Sequence, residues 1–300
     1  MSKKDQTHRL DHKPFLANPG GKFRLTDHDP RYSAGLKSKK EGKKALADDI
    51  DALSDAQRRL WADGRHSVLI ILQAMDAAGK DGTIRHVMSG VNPQGVAVHG
   101  FKAPNEEERQ HHFLWRPTRF LPRKGSIAIF NRSYYEETLV VRVHPEFLEK
   151  QFLSARRRQL PLPELWRERY EDINAYEKAL VHNDTLVLKF FLNVSKDEQR
   201  ERFLDRLNEP DKHWKFSAAD LSERGYWDDY QQAYQDMIAA TSTEHAPWYV
   251  IPADRKWFAR AAVADIIAER ISRLDLRTPE VSEEDRKQLA QAREVLLNEK

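Results

Sequence analysis

Five short runs of apolar residues recur along the chain without the alternation of polar and apolar positions that marks a half-exposed strand. The first covers residues 68–72, is rich in branched side chains and is too short for a buried helix. Such a run is typical of a strand that is covered on both faces of a sheet. The other four lie at residues 96–98, 127–130, 186–192 and 248–251. The pattern predicts five strands.

Between these runs the apolar residues recur at helical spacing. Leu46, Ile50, Leu53 and Leu60 fall on one side of a helix that we expect to end at Gly64. Further helical stretches cover residues 80–88, 106–114, 134–143, 164–180, 197–207 and 227–239. Strands that alternate with helices indicate an α/β fold, in which a parallel sheet carries helices on both faces. Because ligands bind such sheets beyond the carboxyl ends of the strands, the turns after strands are the places to search for a site.

Composition removes several classes of function. The 300 residues contain no cysteine, which excludes disulfides, thiolate metal sites and a cysteine nucleophile. The longest aliphatic run, residues 68–72, is far shorter than the ~20 residues of a membrane-spanning helix. The basic start of the chain is not followed by the apolar segment of a secretory signal. We therefore expect a cytoplasmic protein with no membrane partner.

Charge is unevenly distributed although its total is small. The chain has a net charge of +3, yet residues 1–45 hold 12 Lys and Arg against 5 Asp and Glu. We expect a basic N-terminal extension over residues 1–45, a main domain over residues 46–274 and a charged helix or tail over residues 275–300. The extension is compatible with a nucleic-acid contact, with a clamp on another polyanion or with a solvated arm.

The turn after the first strand, residues 74–83, carries the residue types of a phosphate-binding loop. Small residues let backbone N–H groups close round phosphates at a helix N-terminus, and a lysine adds a point charge. Gly79 and Lys80 match the GxxxxGK(S/T) pattern. Ala74 and Asp81 depart from it, so a left-handed turn with a surface lysine is the alternative. The residues expected to contact phosphate or nucleotide here are Ala77, Ala78, Gly79, Asp81, Gly82 and Thr83.

Two carboxylates lie beside this loop. Asp76 and Asp81 would repel a bound phosphate unless a hard cation lay between them, because like charges repel. The pair therefore predicts Mg²⁺, with Mn²⁺ as a substitute, held by carboxylate instead of by a Ser or Thr hydroxyl. For Asp81 a simpler interpretation is a first-turn residue that the helix dipole favours.

The end of the third predicted strand supplies a second group of candidates. Asn131 can accept from a metal-bound water but brings no charge, so Glu136 or Glu137 is expected to add a carboxylate. Of these two we predict Glu137 as the ligand, so that Asp76 and Glu137 hold the metal while Asn131 and Glu137 contact nucleotide or phosphate. Arg132 can give phosphate a bidentate donor, although an arginine beside acidic residues also forms surface ion pairs.

Four segments, in this order, resemble one family, the family-2 polyphosphate kinases. They read AMDAAGKDGTI, FNRSYYEE, RLNEPDKHWKFS and APWYVIPADRKWF, and together they span residues 65–270. The resemblance implies the fold of P-loop kinases, a three-layer α/β sandwich with a five-stranded parallel sheet, helices on both faces and a helical lid at residues 200–225. It also implies the transfer of phosphoryl groups from polyphosphate to nucleotides.

The resemblance implies roles for individual residues as well. In this family the aspartate matching Asp76 is catalytic, the lysine matching Lys80 binds phosphate and the arginine matching Arg132 helps to hold the substrates. Many members have aspartate where this chain has Asn131. The asparagine form, followed by tyrosines and acidic residues, resembles the subgroup that phosphorylates both nucleoside monophosphates and diphosphates.

Two arginines on the helix after the fourth strand are candidates for charge neutralisation. Arg202 and Arg206 are four residues apart and therefore share one helical face. The alternative is a solvated face, on which an ion pair of Arg202 with Glu198 contributes only about 0.3 kcal/mol. The helix precedes an aromatic segment interrupted by proline, as expected for a closing lid. By resemblance, both arginines offset the charge of the transferring group, where the loss of one costs about 10³-fold in rate.

A polymeric anion needs a basic track along which successive phosphates bind. The candidates for this track are Arg85, Arg116, Arg119, Arg123, Lys124, Lys212 and Lys215. Each one alone is typical of a surface charge, but as a set they predict binding that salt weakens.

These interpretations combine into one hypothesis: a reversible, Mg²⁺-dependent transfer of the terminal phosphoryl group of inorganic polyphosphate to ADP, GDP or AMP, which yields ATP, GTP or ADP. The nucleophile is an ionised phosphate oxygen, so catalysis requires alignment and charge neutralisation more than proton removal. We expect a homo-oligomer, dimer or tetramer, and no nucleic-acid partner. The alternatives are an ATP-dependent nucleoside monophosphate kinase on the same fold and a polyanion- or nucleic-acid-binding protein that uses the basic arm.

Overall fold

Six strands form one sheet at the centre of the computed structural model, which describes residues 10–215 and 217–299. The strands are β1 Leu16–Ala17, β2 Ser67–Gln73, β3 Val96–Gly100, β4 Ile127–Asn131, β5 Thr185–Asn193 and β6 Trp248–Pro252. Their order across the sheet is β1-β6-β5-β2-β4-β3. The neighbours among β2 to β6 run parallel, whereas β1 pairs antiparallel with β6.

All five strands expected from the apolar runs are present and parallel. Every residue of β2 and β6 is buried, because helices cover both faces of the sheet, and this explains the lack of alternation. The sheet is nevertheless mixed, and the expected five-stranded parallel sheet is corrected by the sixth strand, β1. A strand of two residues is too short to show a period, so the sequence pattern could not reveal it.

Helices connect the strands. Those in the described residues are α1 Lys39–Asp63, α2 Lys80–Val87, α3 Glu106–Gln110, α4 Trp115–Thr118, α5 Val140–Val143, α6 Ala155–Arg158, α7 Leu162–His182, α8 Lys196–Asn208, α9 Ala218–Glu223, α10 Trp227–Thr241, α11 Lys256–Ser272 and α12 Glu283–Asn298. Helix α3 is shorter than expected because His111 is extended (ψ 164°). Residues 134–143 form a 3₁₀-helix, Tyr134–Thr138, and then α5, because Leu139 leaves helical geometry. No helix in the described ranges is both long and apolar enough to cross a membrane.

Successive residues of β5 show that two helix layers lie on opposite faces of the sheet. Lys189 contacts Glu177 of α7, and α10 packs on α7. The next residue, Phe190, points to the other face and stacks on Tyr249, whose hydroxyl accepts from Arg270 of α11. Helix α1 packs along α11 on that second face. The core therefore lies between the sheet and each of the two helix layers.

The described part of the N-terminal segment packs on this core. Phe15 is fully buried against Phe258 of α11, and His12 Nε2 lies 2.9 Å from an Asp265 oxygen of the same helix. Helix α1 passes through residue 45 without a break. At the other end of the chain, α12 has no buried residue. The domain boundaries expected at residues 45 and 274 stay predictions.

A fully buried ion pair joins the sheet to one helix layer. Lys189 Nζ donates to Glu177 Oε2 and to the Thr241 carbonyl, each at 2.6 Å. The hydroxyls of Tyr134 and Tyr135 donate to Glu177 Oε1 at 2.8 and 2.7 Å. Burial lowers the pKa of Lys189, and the Glu177 carboxylate opposes that shift. The Glu177 carboxylate thus links α7, β5 and the turn after β4.

Replacing Glu177 by alanine is expected to destabilise the protein by about 3 kcal/mol or more, because Lys189 would stay buried without its counter-charge. Urea denaturation measures the change in the free energy of unfolding. The matched control is Glu171→Ala on the same helix, because Glu171 forms an exposed ion pair with Arg167 that contributes less than about 0.5 kcal/mol. Equal losses in the two variants would show that the buried pair does not support the fold.

Candidate active site

The loop between β2 and α2 has an unusual backbone geometry. Ala77 (φ 61°) and Gly79 (φ 108°) both have left-handed conformations, which glycine adopts freely and alanine rarely. Gly79 is the N-cap of α2, and Lys80 is the first residue of that helix. The loop therefore has the strand–turn–helix context that its motif requires, and it ends where helix amides favour an anion.

Lys80 lies beneath the loop instead of extending into solvent. Its Nζ donates to the carbonyl oxygens of Ala74 at 2.8 Å and Met75 at 3.4 Å, and the residue is buried. Burial lowers the pKa of Lys80, while the nearby carboxylate of Asp76 opposes the shift. The alternative of a surface lysine is therefore excluded, and the ammonium group fixes the start of the loop.

The end of β4 lies directly beside this loop. Parallel pairing aligns Leu72 with Asn131, so the carboxyl ends of β2 and β4 meet at one edge of the sheet. Asn131 Nδ2 donates to Asp81 Oδ1 at 2.7 Å. Arg132, which has a left-handed backbone (φ 62°), donates from Nη2 to Asp76 Oδ1, also at 2.7 Å. The structure thus brings together four of the residues singled out from the sequence.

The two glutamates after β4 point in different directions. Glu136 faces Arg132, and burial raises the pKa of Glu136 while Arg132 opposes the shift. Glu137 points away from the loop, and its Oε2 accepts from Gln151 at 2.7 Å and from Arg169 at 3.2 Å. The geometry therefore corrects the prediction of Glu137 as a metal and nucleotide ligand, because Glu136 is the glutamate at the site. Both lie on the 3₁₀-helix Tyr134–Thr138, in which consecutive side chains diverge by about 120°.

Arg202 is committed to the protein interior. Its five N–H donors are directed at the Glu198 carboxylate and at the backbone carbonyls of Ala77, Ala78, Ala253 and Asp254, over distances of 2.5 to 3.2 Å. These bonds use every donor that a guanidinium group has. Arg202 therefore fastens the loop to α8 and to the end of β6, and in this arrangement it offers no N–H to a phosphate.

Arg206, one helical turn further on, faces the cleft above the loop. Its Nη1 lies 3.4 Å from Asp220 Oδ2 of α9. Burial raises the pKa of Asp220, as does the carboxylate of Asp76, whereas Arg206 lowers it. Asp220 and Asp76 both line the cleft. The two arginines, which share a helical face, have different environments.

The segment predicted as a lid contacts the body of the protein through Glu223. Its Oε2 lies 3.0 Å from His144 Nε2 and accepts from the Tyr230 hydroxyl at 2.6 Å. The next residue, Arg224, donates to Gln199 Oε1 at 2.7 Å. These contacts hold α9 against the cleft.

A cleft of about 700 Å³ lies over the loop and is rich in cations. Its basic side chains are Lys80, Arg85, Lys102, Arg132, Arg202, Arg206, Lys256 and Arg260, and its carboxylates are Asp76, Asp81, Asp205 and Asp220. Ala77, Ala78, Gly79, Gly82, Thr83 and Asn131 also line it, as expected. Burial lowers the pKa of Arg260, and the neighbouring cations Arg85 and Arg202 lower it further. The cleft thus holds positive charges close to one another.

The structure places one residue of the predicted basic track in the cleft, and the rest of the track stays a prediction. Arg85 lines the cleft, but Arg116, Arg119, Arg123 and Lys124 do not. Arg116 pairs with Glu108 and donates to the Lys102 carbonyl, Arg119 lies over Trp115, Arg123 lies over Trp61, and Lys124 donates to the Asn183 carbonyl. The side chains of Lys212 and Lys215 lie outside the described residues.

Three cleft cations were missed at the sequence level. Lys102 follows the end of β3, and Lys256 and Arg260 lie on the first turns of α11, which follows β6. All three come after the carboxyl ends of strands, where ligands bind in parallel sheets. The same rule that identified the loop after β2 could therefore have identified them.

The carboxylates of the cleft fit a magnesium ion that also binds substrate. In residues 10–215 and 217–299, no group of three or more His, Cys, Asp or Glu residues could form a complete metal site. Mg²⁺ in phosphate-transfer sites is typically held by one or two carboxylates, with substrate phosphates and water as the other ligands. Asp76 and Asp81 line the cleft and supply this donor set.

The groups gathered at the site are those that phosphoryl transfer uses. The loop amides and a lysine lie at the edge of a parallel sheet, arginines surround them, and the cleft has room for a metal ion. This arrangement is suited to the transfer of a phosphoryl group from one phosphate to another. The fold and the cleft therefore define a phosphoryl-transfer enzyme of the kinase class.

Comparisons with known proteins specify the family. Residues 36–279 match the family model described as Polyphosphate kinase 2 (PPK2), and the chain belongs to that family. It is 48% identical over 294 residues to the ADP-polyphosphate phosphotransferase of Rhodopseudomonas palustris, a match that covers 96% of this chain and 99% of that protein. It is 44% identical over 269 residues to the AMP/ADP-polyphosphate phosphotransferase of Meiothermus ruber, covering 89% of this chain and 96% of the relative.

A crystal structure supports the same assignment. The polyphosphate kinase 2 of Arthrobacter aurescens superimposes with a TM-score of 0.84 at 39% sequence identity, and the match covers 94% of this chain and 96% of that one. The resemblance inferred from the four sequence segments is therefore confirmed. The protein is a phosphotransferase of the kinase type.

The different environments of Arg202 and Arg206 predict different consequences of their removal. Arg202→Ala is expected to lower both the melting temperature and the activity, because five hydrogen bonds to the loop and its neighbours are lost. Arg206→Ala is expected to lower kcat by about 10²- to 10³-fold with little change in melting temperature. Calorimetry and steady-state kinetics on both variants test this, and equal melting temperatures would contradict the role given to Arg202.

Proposed function

We propose that this protein transfers the terminal phosphoryl group of inorganic polyphosphate to nucleotides, reversibly. ADP and GDP become ATP and GTP, and AMP becomes ADP. The names of the two relatives, ADP-polyphosphate and AMP/ADP-polyphosphate phosphotransferase, support the proposal because this chain matches nearly their whole length. The bond broken and the bond formed are both phosphoanhydrides, so the reaction needs little driving force in either direction.

The observation that carries this proposal is the charge of the cleft. Eight basic side chains face four carboxylates there. Arg260 has Arg85 and Arg202 as its charged neighbours, and this repulsion favours a ligand that brings several negative charges. A chain of phosphates is such a ligand, and a single nucleotide leaves the outer cations of the cleft without a counter-charge.

The residues of the site have different roles in phosphoryl transfer. Lys80 and the amides of the loop bind phosphate, and Arg132 and Arg206 offset the charge that spreads over the transferring group. The nucleophile is an ionised phosphate oxygen, so no side chain has to remove a proton. For Arg202 we propose a positioning role, because its donors hold the loop, in place of the charge-neutralising role expected from the sequence.

The acidic residues of the cleft are proposed to hold the metal ion. Asp76 and Asp81 are the carboxylates that we assign to Mg²⁺ or Mn²⁺, a cation that neutralises phosphate oxygens when it is bound. Asp76 is kept in place by Arg132, and its backbone carbonyl accepts from Gln199 Nε2 at 2.9 Å. Asp81 is oriented by Asn131.

Asn131 is proposed to widen the range of acceptors. Its amide is neutral and donates to Asp81. An aspartate at this position would add a third carboxylate beside Asp76 and Asp81 and would increase the repulsion within the site. The neutral side chain leaves more of the local positive charge for the acceptor, so both nucleoside monophosphates and diphosphates are used.

Location and assembly stay predictions of the sequence. We expect the protein in the cytoplasm and as a homo-oligomer, dimer or tetramer, and light scattering on the purified protein measures the second of these.

A single assay tests the proposed function. The protein is incubated with Mg²⁺, polyphosphate and either AMP, ADP or GDP, and chromatography detects the nucleotides formed. We expect ADP, ATP and GTP, and no product after chelation of the metal. Product from ATP plus AMP but not from polyphosphate would indicate an ATP-dependent monophosphate kinase. Polyanion binding that requires residues 1–40, without any product, would indicate a binding protein.

Lys80→Ala is expected to lose nearly all turnover in this assay, because the loop loses the cation that meets the phosphates. The melting temperature is expected to stay close to that of the wild type, since Nζ contacts only two carbonyls, those of Ala74 and Met75. Unchanged activity in Lys80→Ala would mean that the loop does not bind phosphate.

The basic side chains of the cleft predict that their removal raises the KM for polyphosphate, the phosphoryl donor. The double variant Arg85→Ala with Arg260→Ala is expected to raise the KM for polyphosphate about tenfold, because two of the positive charges in the cleft are lost. The wild-type KM should rise with added salt more steeply than that of the double variant. The matched control is Arg119→Ala with Arg123→Ala, two arginines that stack on tryptophans outside the cleft. An equal KM in the two double variants would contradict the assignment of the track to the cleft.

A further inference from the structure

A second and smaller cavity adjoins the cleft at the Asp76–Arg132 pair. It has a volume of about 30 Å³. Asp76, Arg132 and Asp220 line both this cavity and the cleft. Its other polar walls are Glu136, Gln199, Glu223, Arg224, Tyr230 and Tyr234. We name this cavity the rear chamber.

Tyr234, a largely buried residue, lines the rear chamber. The residue is 3% exposed, and its ring packs on Phe191 of β5 with 4.4 Å between the ring centroids. Within the described residues no hydrogen-bond partner meets the Tyr234 hydroxyl, whereas the neighbouring Tyr230 donates to Glu223 at 2.6 Å. Buried tyrosine hydroxyls are usually paired. An unpaired one that faces a cavity therefore indicates a small polar ligand in that cavity.

The size and the charge of the rear chamber identify this ligand. The chamber has room for one or two water molecules but not for a nucleotide group. Its carboxylates are Asp76, Glu136, Asp220 and Glu223, against the guanidinium groups of Arg132 and Arg224. The excess of carboxylates disfavours a phosphate. Water, which both donates and accepts, matches a wall that contains a hydroxyl, a guanidinium group and carboxylates.

We propose that Tyr234 is a positioning residue for the transfer reaction and acts through a water molecule bound in the rear chamber. The Tyr234 hydroxyl donates to this water, and the water in turn bridges Glu136 and Arg132. The proposal rests on the function proposed above, in which Arg132 binds substrate phosphate.

The state of Arg132 explains why such a water matters. The residue has a left-handed backbone, its guanidinium group donates to Asp76 at 2.7 Å, and the carboxylate of Glu136 is a second negative charge near it. A bound water would fill the space behind the guanidinium group and give Glu136 a hydrogen-bond partner. A second partner is the Gln73 amide, which donates to Glu136 Oε1 at 2.9 Å in the orientation in which its oxygen accepts from the Ser133 N–H. The water would thereby stabilise the orientation of the Arg132 guanidinium group towards Asp76 and the cleft. Tyr234 would thus affect the alignment of the phosphate-binding groups without touching the substrate.

Tyr234→Phe tests the proposal by removing one oxygen atom and leaving the packing unchanged. We expect kcat with polyphosphate and ADP to fall about fivefold, which corresponds to ~1 kcal/mol, the usual size of one lost hydrogen bond. The KM values for both substrates should stay within about twofold of the wild type. The melting temperature should not change, because the hydroxyl bonds no protein group among the described residues.

Tyr249→Phe is the matched control. Tyr249 is as buried as Tyr234, but its hydroxyl accepts from Arg270 at 2.8 Å on the other face of the sheet. We expect this variant to keep the wild-type kcat. Equal kcat values in the two variants would overturn the proposal, as would a Tyr234→Phe protein that loses thermal stability while it keeps its turnover.

High-resolution crystal structures give a measurement that does not depend on turnover. The wild type should contain an ordered water within about 3.2 Å of the Tyr234 hydroxyl, and Tyr234→Phe should lack it. An empty rear chamber in the wild type would overturn the proposal even in an active enzyme. A wild-type protein that does not use polyphosphate would instead overturn the proposed function, and the ordered water would still be observed.

Discussion

One guanidinium group holds the phosphate-binding loop in place. Arg202 reaches from α8 to the carbonyls of Ala77 and Ala78 in the loop and to the carbonyls that follow β6, so a single cation joins three segments that are distant in sequence. Ala77 has a backbone conformation that alanine rarely adopts, and these bonds offset its strain. The loop amides are thereby organised before a substrate arrives, and such preorganisation is the main source of catalysis in phosphoryl transfer.

The cations of the site serve two purposes, which their partners distinguish. Arg202 gives all its N–H donors to the protein and fixes the shape of the loop, whereas Lys80 bonds two carbonyls from beneath the loop and also lines the cleft. Arg85 and Arg260 both line the cleft, and burial together with the neighbouring cations Arg85 and Arg202 lowers the pKa of Arg260. Repulsion between such groups raises the energy of the free protein and is relieved when an anion binds. The division allows the site to be rigid and strongly positive at the same time.

Local features could be predicted from the sequence, whereas the directions of side chains could not. The apolar runs predicted all five parallel strands. Burial on both faces explains the uninterrupted runs of β2 and β6, whereas β3 was predicted from its apolar residues although none of its residues is buried. The loop was recognisable because its small residues are contiguous. Helical spacing placed Arg202 and Arg206 on one face, but in the tertiary structure Arg202 bonds the loop and Arg206 lies at the cleft. Likewise, spacing could not decide between Glu136 and Glu137, because adjacent side chains of a helical turn diverge and the tertiary partners Gln151 and Arg169 draw Glu137 away from the loop.

The antiparallel pairing of β1 with β6 joins the beginning of the fold to its last strand. Nearby, the Asp254 N–H donates to the Pro30 carbonyl, and Asn193 Nδ2 donates to the His28 carbonyl. On the ribosome, the N-terminal segment emerges first, but β1 cannot pair with β6 until β6 has been synthesised. The anchoring of the loop depends on the same event, because Ala253 and Asp254 follow β6. A nascent chain therefore cannot assemble its phosphate site until translation is nearly complete.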